Sequence, residues 1–371
     1  MVPFAGLHDH CEKGRGSSPN AATNNNSNRC YPIIQPTIEG VENVATRWKN
    51  GLVVAIPTEC TYEACLAVRI PQRQTTQHPF EGTSLQQVVD QLRKIAKPPH
   101  FPRYPEVRDP YCLVTPGCEL KRHPILRDVL TPKLYALRPS DVEKDAVMHR
   151  FNESMEVLER LASKLWPGPI LIRLGVSSSS PWTQTPFVVE TRPPRIDEND
   201  PNHTHGRPYK NFVTLRCPRH PLAVKARKDV ASIENSLLVS LPIYHSPQTS
   251  NDDDVGATFC TRSRQVAARM AVLDGEDARE VFHVPTCEYG RPCESVVWLD
   301  GRQRIITVQT ASPDVCHPRM VQVALRQSSV PRKAGNKKER MLIQAIISKW
   351  KVVCSSSSTI EEDHNNDNDY A

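Results

Sequence analysis

The sequence lacks the short motifs that mark the most widespread nucleotide-binding and hydrolytic sites. None of the patterns G-x-x-x-x-G-K-[ST], G-x-G-x-x-G, G-x-S-x-G and H-E-x-x-H occurs along the chain. A phosphate-binding loop, a dinucleotide-binding turn, a serine hydrolase and a zinc protease therefore lack their usual sequence support. Evidence for a function must come from patterns that belong to a smaller group of proteins.

Long apolar runs and closely spaced cysteines are also missing. The chain has no apolar run of about 18 residues, so we expect no membrane-spanning helix. None of its 12 cysteines belongs to a C-x-x-C pair, which favours free, reduced thiols over a structural zinc site. Reduced thiols indicate an intracellular compartment, and we expect the cytoplasm. Organellar import stays open, although Asp9 and Glu12 fit poorly in a transit peptide.

Glycine is scarce, whereas proline is abundant. The chain has 15 glycines and 33 prolines in 371 residues, against usual shares of about 7% and about 5%. Mixed charge and real apolar runs exclude a wholly disordered chain, so the prolines indicate loops that interrupt a globular core. A net charge of +6 allows a polyanionic partner but does not require one.

We predict one folded domain with additions. Residues 1–38 are polar and low in complexity, and we expect them to be disordered. Residues 39–328 form the domain, with Pro-rich insertions at about 71–132 and 176–209. Residues 329–371 are a tail that is first basic and then acidic.

Alternating elements predict an α/β fold built on a twisted, open, mixed sheet. Short apolar runs predict strands over 51–56, 145–151, 170–174, 212–215, 236–241, 295–299 and 304–308. Periodic apolar residues predict helices over 83–97, 152–165, 221–228, 262–273 and 341–353. The last two strands face each other across Asp300-Gly301, which predicts a hairpin.

One polar segment stands where α/β proteins bind ligands. Pro57-Thr58-Glu59 directly follows the strongest buried strand, and ligands of open α/β sheets bind at the carboxyl ends of strands. The segment is therefore a candidate site. A simple turn after the strand is the alternative that the pattern leaves open.

Four segments carry a family resemblance. Residues 51–62 contain a buried strand followed by P-T-E-C-T-Y, and residues 165–172 read L-W-P-G-P-I-L-I. Residues 215–222 read L-R-C-P-R-H-P-L, and residues 294–297 read E-S-V-V before the predicted hairpin. In this order, across residues 40–325, they resemble the YrdC-like family of threonylcarbamoyl-AMP synthases. The resemblance implies a YrdC-like/RibB-like α/β fold.

The family makes threonylcarbamoyl adenylate from L-threonine, bicarbonate and ATP, with Mg²⁺, for a modification of tRNA. The resemblance implies that Arg216 pairs with the carboxylate of threonine and that Thr58 and Ser295 offer hydroxyls to it. The residues that it assigns to threonine are Thr58, Tyr62, His149, Arg216 and Ser295. Those that it assigns to the nucleotide are Arg138 and Ser240.

The chain departs from the family pattern in the segments that the resemblance assigns to the phosphates of ATP. The family's K-G-R-P is reduced to Arg138-Pro139, and its P-S-A-N has no counterpart after the strand at 236–241. Its Gly-Leu-Gly is replaced by Glu63-Ala64-Cys65, which puts a carboxylate where phosphate binding favours open backbone.

Two functions remain open. The first is a synthase with weakened activity, which the retained Thr58, Arg216 and Ser295 favour. The second is a non-catalytic YrdC-like module that binds double-stranded RNA or tRNA, which the departures favour.

Overall fold

A computed structural model gives the fold. It describes residues 31–59, 61–69, 83–96, 109–114, 120, 126, 141–178, 180–191, 210–231, 236–245, 258–275, 295–301, 303–310, 316–327 and 337–354. The helices are α1 (Ile38–Lys49), α2 (Thr83–Ala96), α3 (Asp141–Leu165), α4 (Pro221–Ala231), α5 (Ser263–Ala267), α6 (Pro318–Arg326) and α7 (Lys337–Ile347). Within these described residues, no helix is both long enough and apolar enough to cross a membrane.

The strands form one large mixed sheet and a small hairpin. They are β1 (Ile33–Ile34), β2 (Val54–Pro57), β3 (Tyr62–Arg69), β4 (Tyr111–Leu113), β5 (Ile170–Val176), β6 (Val188–Glu190), β7 (Asn211–Arg216), β8 (Ser236–Pro242), β9 (Tyr244–His245), β10 (Thr258–Phe259), β11 (Ala271–Leu273), β12 (Ser295–Asp300), β13 (Ile305–Gln309) and β14 (Lys351–Cys354). The large sheet has the order β1-β11-β2-β3-β8-β4-β7-β5-β12-β13-β14, with β6 paired to β7. Parallel and antiparallel neighbours alternate irregularly along it, which confirms the predicted α/β class with an open mixed sheet.

Register divides the sheet into two unlike faces, because alternate residues of a strand point to opposite sides. One face is apolar and packs against α2, α3, α6 and α7, with Leu66, Val239 and Ile172 in its core. The opposite face is apolar from β1 to β4, with Leu273, Ile56 and Leu238 in its core, and α1 and α4 cover it there. Its middle carries the buried polar side chains Thr214 and Arg216. The candidate site belongs to this second face.

The first helix shows why the covered end of that face is stable. The Thr37 hydroxyl accepts the Gly40 N–H at 3.1 Å, which caps α1 at its start. The residues that α1 buries include Val41, Val44 and Trp48, spaced as one stripe of a helix. Trp48 donates its indole N–H to the carbonyl of Cys65 at 3.0 Å, so α1 is tied to β3.

One predicted element is wrong in type and another is too long. The strand predicted at 145–151 lies inside α3, so it and the helix predicted at 152–165 form one continuous helix. Val147, Phe151, Met155 and Leu158 recur at helical intervals, which a shorter window misses. The helix predicted over 262–273 ends at Ala267, because the following apolar residues form β11 between β1 and β2.

The predicted domain limits also need correction. Residues 33–34 pair with β11, so the sheet already begins inside the segment predicted as disordered. The insertion at 71–132 contains α2 and β4, and β4 lies inside the sheet between β8 and β7. The segment predicted as a helix at 341–353 is instead α7 followed by β14, which pairs in parallel with β13.

Because the predicted tail is part of the fold, we expect a substitution at Trp350 to change the stability of the protein strongly. This residue is 7% exposed and packs in the apolar core, so Trp350→Ala leaves a cavity there. We expect a loss of about 3 kcal/mol in the free energy of unfolding, measured by urea denaturation. Met341→Ala in the same segment, at a residue that is 65% exposed, is the control and changes stability by less than about 0.5 kcal/mol. Equal stabilities of the two variants would show that the tail is not part of the core.

Candidate functional site

The predicted Thr-Glu site lies in the tight turn between β2 and β3. Thr58 donates its hydroxyl to the carbonyl of Thr61 at 2.7 Å, and the Thr58 N–H donates to the same carbonyl at 2.9 Å. Thr58 and Glu59 are both fully buried. The segment is thus a turn, as the alternative stated, but its side chains also reach a distant strand.

Arg216, the last residue of β7, is the centre of this contact. Its guanidinium has no exposed area, and Nη2 lies 3.2 Å from Oε1 of Glu59 and 3.5 Å from the Thr58 hydroxyl. Nη1 donates to Oε1 of Glu63 on β3, in a second buried ion pair. We call Thr58, Glu59, Glu63 and Arg216 the arginine cluster.

A further backbone contact fixes the first carboxylate. Oε2 of Glu59 accepts the N–H of Arg219 at 2.8 Å, so both of its oxygens are used within the protein. The side chain of Arg219 itself is exposed. The P-T-E and V-R-x-P segments are therefore held together by buried polar contacts.

Two residues on the intervening strands lie under the cluster. Tyr111 on β4 and Ser240 on β8 are directly opposite each other in register, and Ser240 is also opposite Cys65 on β3. This register puts both side chains on the same face as Glu63 and Arg216. The Arg216 guanidinium carbon lies 5.9 Å from the centre of the Tyr111 ring.

The buried polar atoms of this region without a hydrogen-bond partner include Oε2 of Glu63 and Oγ of Ser240. Both residues are fully buried. Buried polar atoms are nearly always hydrogen-bonded in native proteins, so such a pair marks a place that a ligand or water can occupy.

Neither cysteine of this region is a candidate nucleophile. Burial raises the pKa of the Cys65 thiol well above its usual value and raises that of Cys112 to about 12. Both stay protonated near neutral pH, and the reactive form of cysteine is the thiolate. In the part of the chain that the structure describes, no three metal-ligating side chains lie together.

Two other predicted site residues, Tyr62 and Ser295, lie on the apolar face of the sheet. Tyr62 points to the apolar face and donates its hydroxyl to the carbonyl of Gly275 at 3.1 Å. Ser295 pairs with Ile170 and so shares the apolar face, opposite to that of Arg216. His149 lies in α3, but its side chain is outside the described residues, as is all of Arg138.

Sequence reasoning found Thr58, Arg216 and Ser240 but missed the role of Glu63 and the presence of Tyr111. The signal for Glu63 was available, because two carboxylates four residues apart beside a buried strand need a cation. Tyr111 gave no such signal, since β4 has three residues in a Pro-rich segment.

No protein-family model matches the sequence, and no curated protein sequence matches it. Solved structures with similar folds do exist. P. abyssi Sua5 with two substitutions has 15% identity and a TM-score of 0.39, over 75% of this chain and 56% of that one. P. abyssi Sua5 complexed with L-threonine has 16% identity and a TM-score of 0.35, over 74% and 55%. E. coli YciO has 11% identity and a TM-score of 0.32, over 72% and 88%.

These likenesses concern the fold. Sua5 and YciO belong to the group of proteins that the four sequence segments resemble. The matched region spans little more than half of each Sua5 chain.

The ion pairs predict a specific stability pattern. Arg216→Met leaves two buried carboxylates without their cation, so we expect a loss of roughly 3–5 kcal/mol in the free energy of unfolding. Adding Glu63→Gln removes one of these charges and recovers part of the loss, measured by urea denaturation as a double-mutant cycle. Arg219→Met, at an exposed side chain, is the control and stays within about 0.5 kcal/mol. Strict additivity of the two substitutions would argue against the Arg216–Glu63 pair.

Proposed function

We propose that this protein is a YrdC-like synthase that uses ATP, bicarbonate and an amino-acid-like amine, with L-threonine as the reference substrate. The supporting observation is that residues of separate family-like segments meet in one buried cluster. Arg216 contacts Thr58 across 158 positions of sequence, and Ser240 lies on the same face. The product of such a reaction would serve the modification of tRNA.

The chemistry places simple demands on this site. A carbamate, formed from the amine and bicarbonate with loss of water, must be held against the α-phosphorus of ATP. Its oxygen bonds to this phosphorus as the bond to the leaving pyrophosphate breaks. The cluster supplies fixed hydrogen-bonding groups in a buried setting, where preorganised polar groups act most strongly. ATP would arrive with Mg²⁺, whose ligands would come mainly from phosphates and water, as is usual for this ion.

The ion pairs also indicate that turnover with L-threonine is slow. A carboxylate of the substrate would share Arg216 with Glu59 and Glu63, which already bind both terminal nitrogens of its guanidinium. A third carboxylate beside one guanidinium leaves the buried negative charge undercompensated, which is unfavourable.

We expect slow pyrophosphate release that requires ATP, L-threonine and bicarbonate together. Ser240→Ala is expected to lower this rate about three- to tenfold, because it removes one hydroxyl that can bind a substrate. The same substitution is not expected to destabilise the fold, since Oγ makes no hydrogen bond within the protein. Lys228→Ala on the exposed side of α4 is the control with an unchanged rate. Pyrophosphate release that is independent of the amine would contradict the proposal.

A second function is favoured by the internal pairing of Arg216. A site whose cation is already neutralised suits a module that binds RNA through exposed cations elsewhere. The described exposed cations include Lys49, Arg219, Arg262 and Arg264.

For this second function we expect tRNA or double-stranded RNA binding that weakens linearly on a log–log plot against salt. Filter binding of the purified protein measures it, with Ser240→Ala as the variant that leaves it unchanged. Salt-sensitive binding without any pyrophosphate release would favour the module over the synthase. Absence of RNA binding at low salt would exclude the module.

A further inference from the structure

Two unpartnered buried atoms belong to residues of adjacent strands on the polar face of the sheet. Glu63 is opposite Pro242, two residues from Ser240, so Glu63 and Ser240 are diagonal neighbours on adjacent strands. Oε2 of Glu63 and Oγ of Ser240 make no hydrogen bond, and neither residue has exposed area. A carboxylate oxygen accepts hydrogen bonds only, whereas a hydroxyl can both donate and accept. The pair therefore suits a ligand group that donates hydrogen bonds.

The charges of the arginine cluster indicate the sign of that group. One guanidinium faces the carboxylates of Glu59 and Glu63, so these three side chains carry an excess of one negative charge. Arg173 is on the adjacent strand of the same face, but its guanidinium stacks 4.6 Å from the centre of the Trp298 ring. Beside Glu63, the excess negative charge favours a cationic donor and disfavours a carboxylate of the ligand.

We propose that Glu63 determines the ligand class of this site: it accepts the ammonium group of a small primary amine that has no carboxylate. This inference rests on the proposed function, and it names the amine of that reaction. The Glu63 carboxylate takes the place that a ligand carboxylate would occupy on Arg216. Its second oxygen and the Ser240 hydroxyl then bind the ammonium group.

The departure from the family pattern is consistent with this assignment. Glu63 stands where the resemblance places the first glycine of Gly-Leu-Gly. A glycine there would leave the Nη1 side of Arg216 available to a ligand carboxylate. One substitution thus separates a site for an amino acid from a site for an amine.

Calorimetric titration of the full-length protein tests the proposal with L-threoninol and L-threonine. The two ligands share the amine and the hydroxyl, and only L-threonine has a carboxylate. We expect the wild-type protein to bind L-threoninol at least about tenfold more tightly than L-threonine. Glu63→Gln should weaken L-threoninol and strengthen L-threonine, because it removes the charge that repels a carboxylate. Lys228→Ala should bind both ligands as the wild type does.

The wild-type measurement alone can overturn the proposal, whatever the folding of the variants. Tighter binding of L-threonine than of L-threoninol would do so. Absence of L-threoninol binding at millimolar concentration would also do so, since water would then satisfy the two atoms. A parallel titration with MgCl2 that saturates the same site and excludes L-threoninol would assign it to a metal ion instead.

Pyrophosphate release separates this inference from the proposed function. Tight L-threoninol binding without pyrophosphate release supports the ligand class and contradicts the synthase. Pyrophosphate release with L-threonine, together with weaker binding of L-threoninol, supports the synthase and contradicts the ligand class.

Discussion

The buried pairing of Arg216 with Glu59 and Glu63 is the constraint on which the shape of the site depends. Glu63 and Arg216 lie on β3 and β7, which are separated by β8 and β4. Three strand intervals in a flat sheet amount to about 14 Å. The long side chains of Glu63 and Arg216 therefore extend toward each other over β8 and β4, across the polar face of the sheet.

The same pairing explains why the polar face stays polar. Two buried carboxylates and a guanidinium are costly to desolvate, and their attraction offsets this cost only when their hydrogen bonds are also made. Glu59 meets this condition through Arg216 and the N–H of Arg219. Glu63 meets it with one oxygen only, since Oε2 has no partner. The missing hydrogen bond is therefore at Oε2 of Glu63, where a hydrogen bond from a ligand would stabilise the cluster most.

The sequence predicted elements that have their own apolar signal and missed those defined by pairing. The strands near 51–56, 170–174, 212–215 and 236–241 and the late hairpin are confirmed, because their apolar runs reflect burial on a sheet. β3 was missed because Glu63 interrupts its apolar character near its start. β4 and β14 are short, and only their neighbours in the sheet make them strands.

For the candidate site too, the sequence could not predict what depends on strand pairing, here the direction of individual side chains. Motif order correctly indicated that Thr58 and Arg216 belong to one region, because it reports which strand ends lie together. It could not indicate the face of the sheet, which depends on register, and Ser295 lies on the other face for this reason. It also treated Glu63 as a loss of a phosphate-binding feature. In the folded protein Glu63 is a partner of Arg216, so a departure from a family pattern can define a site as well as remove one.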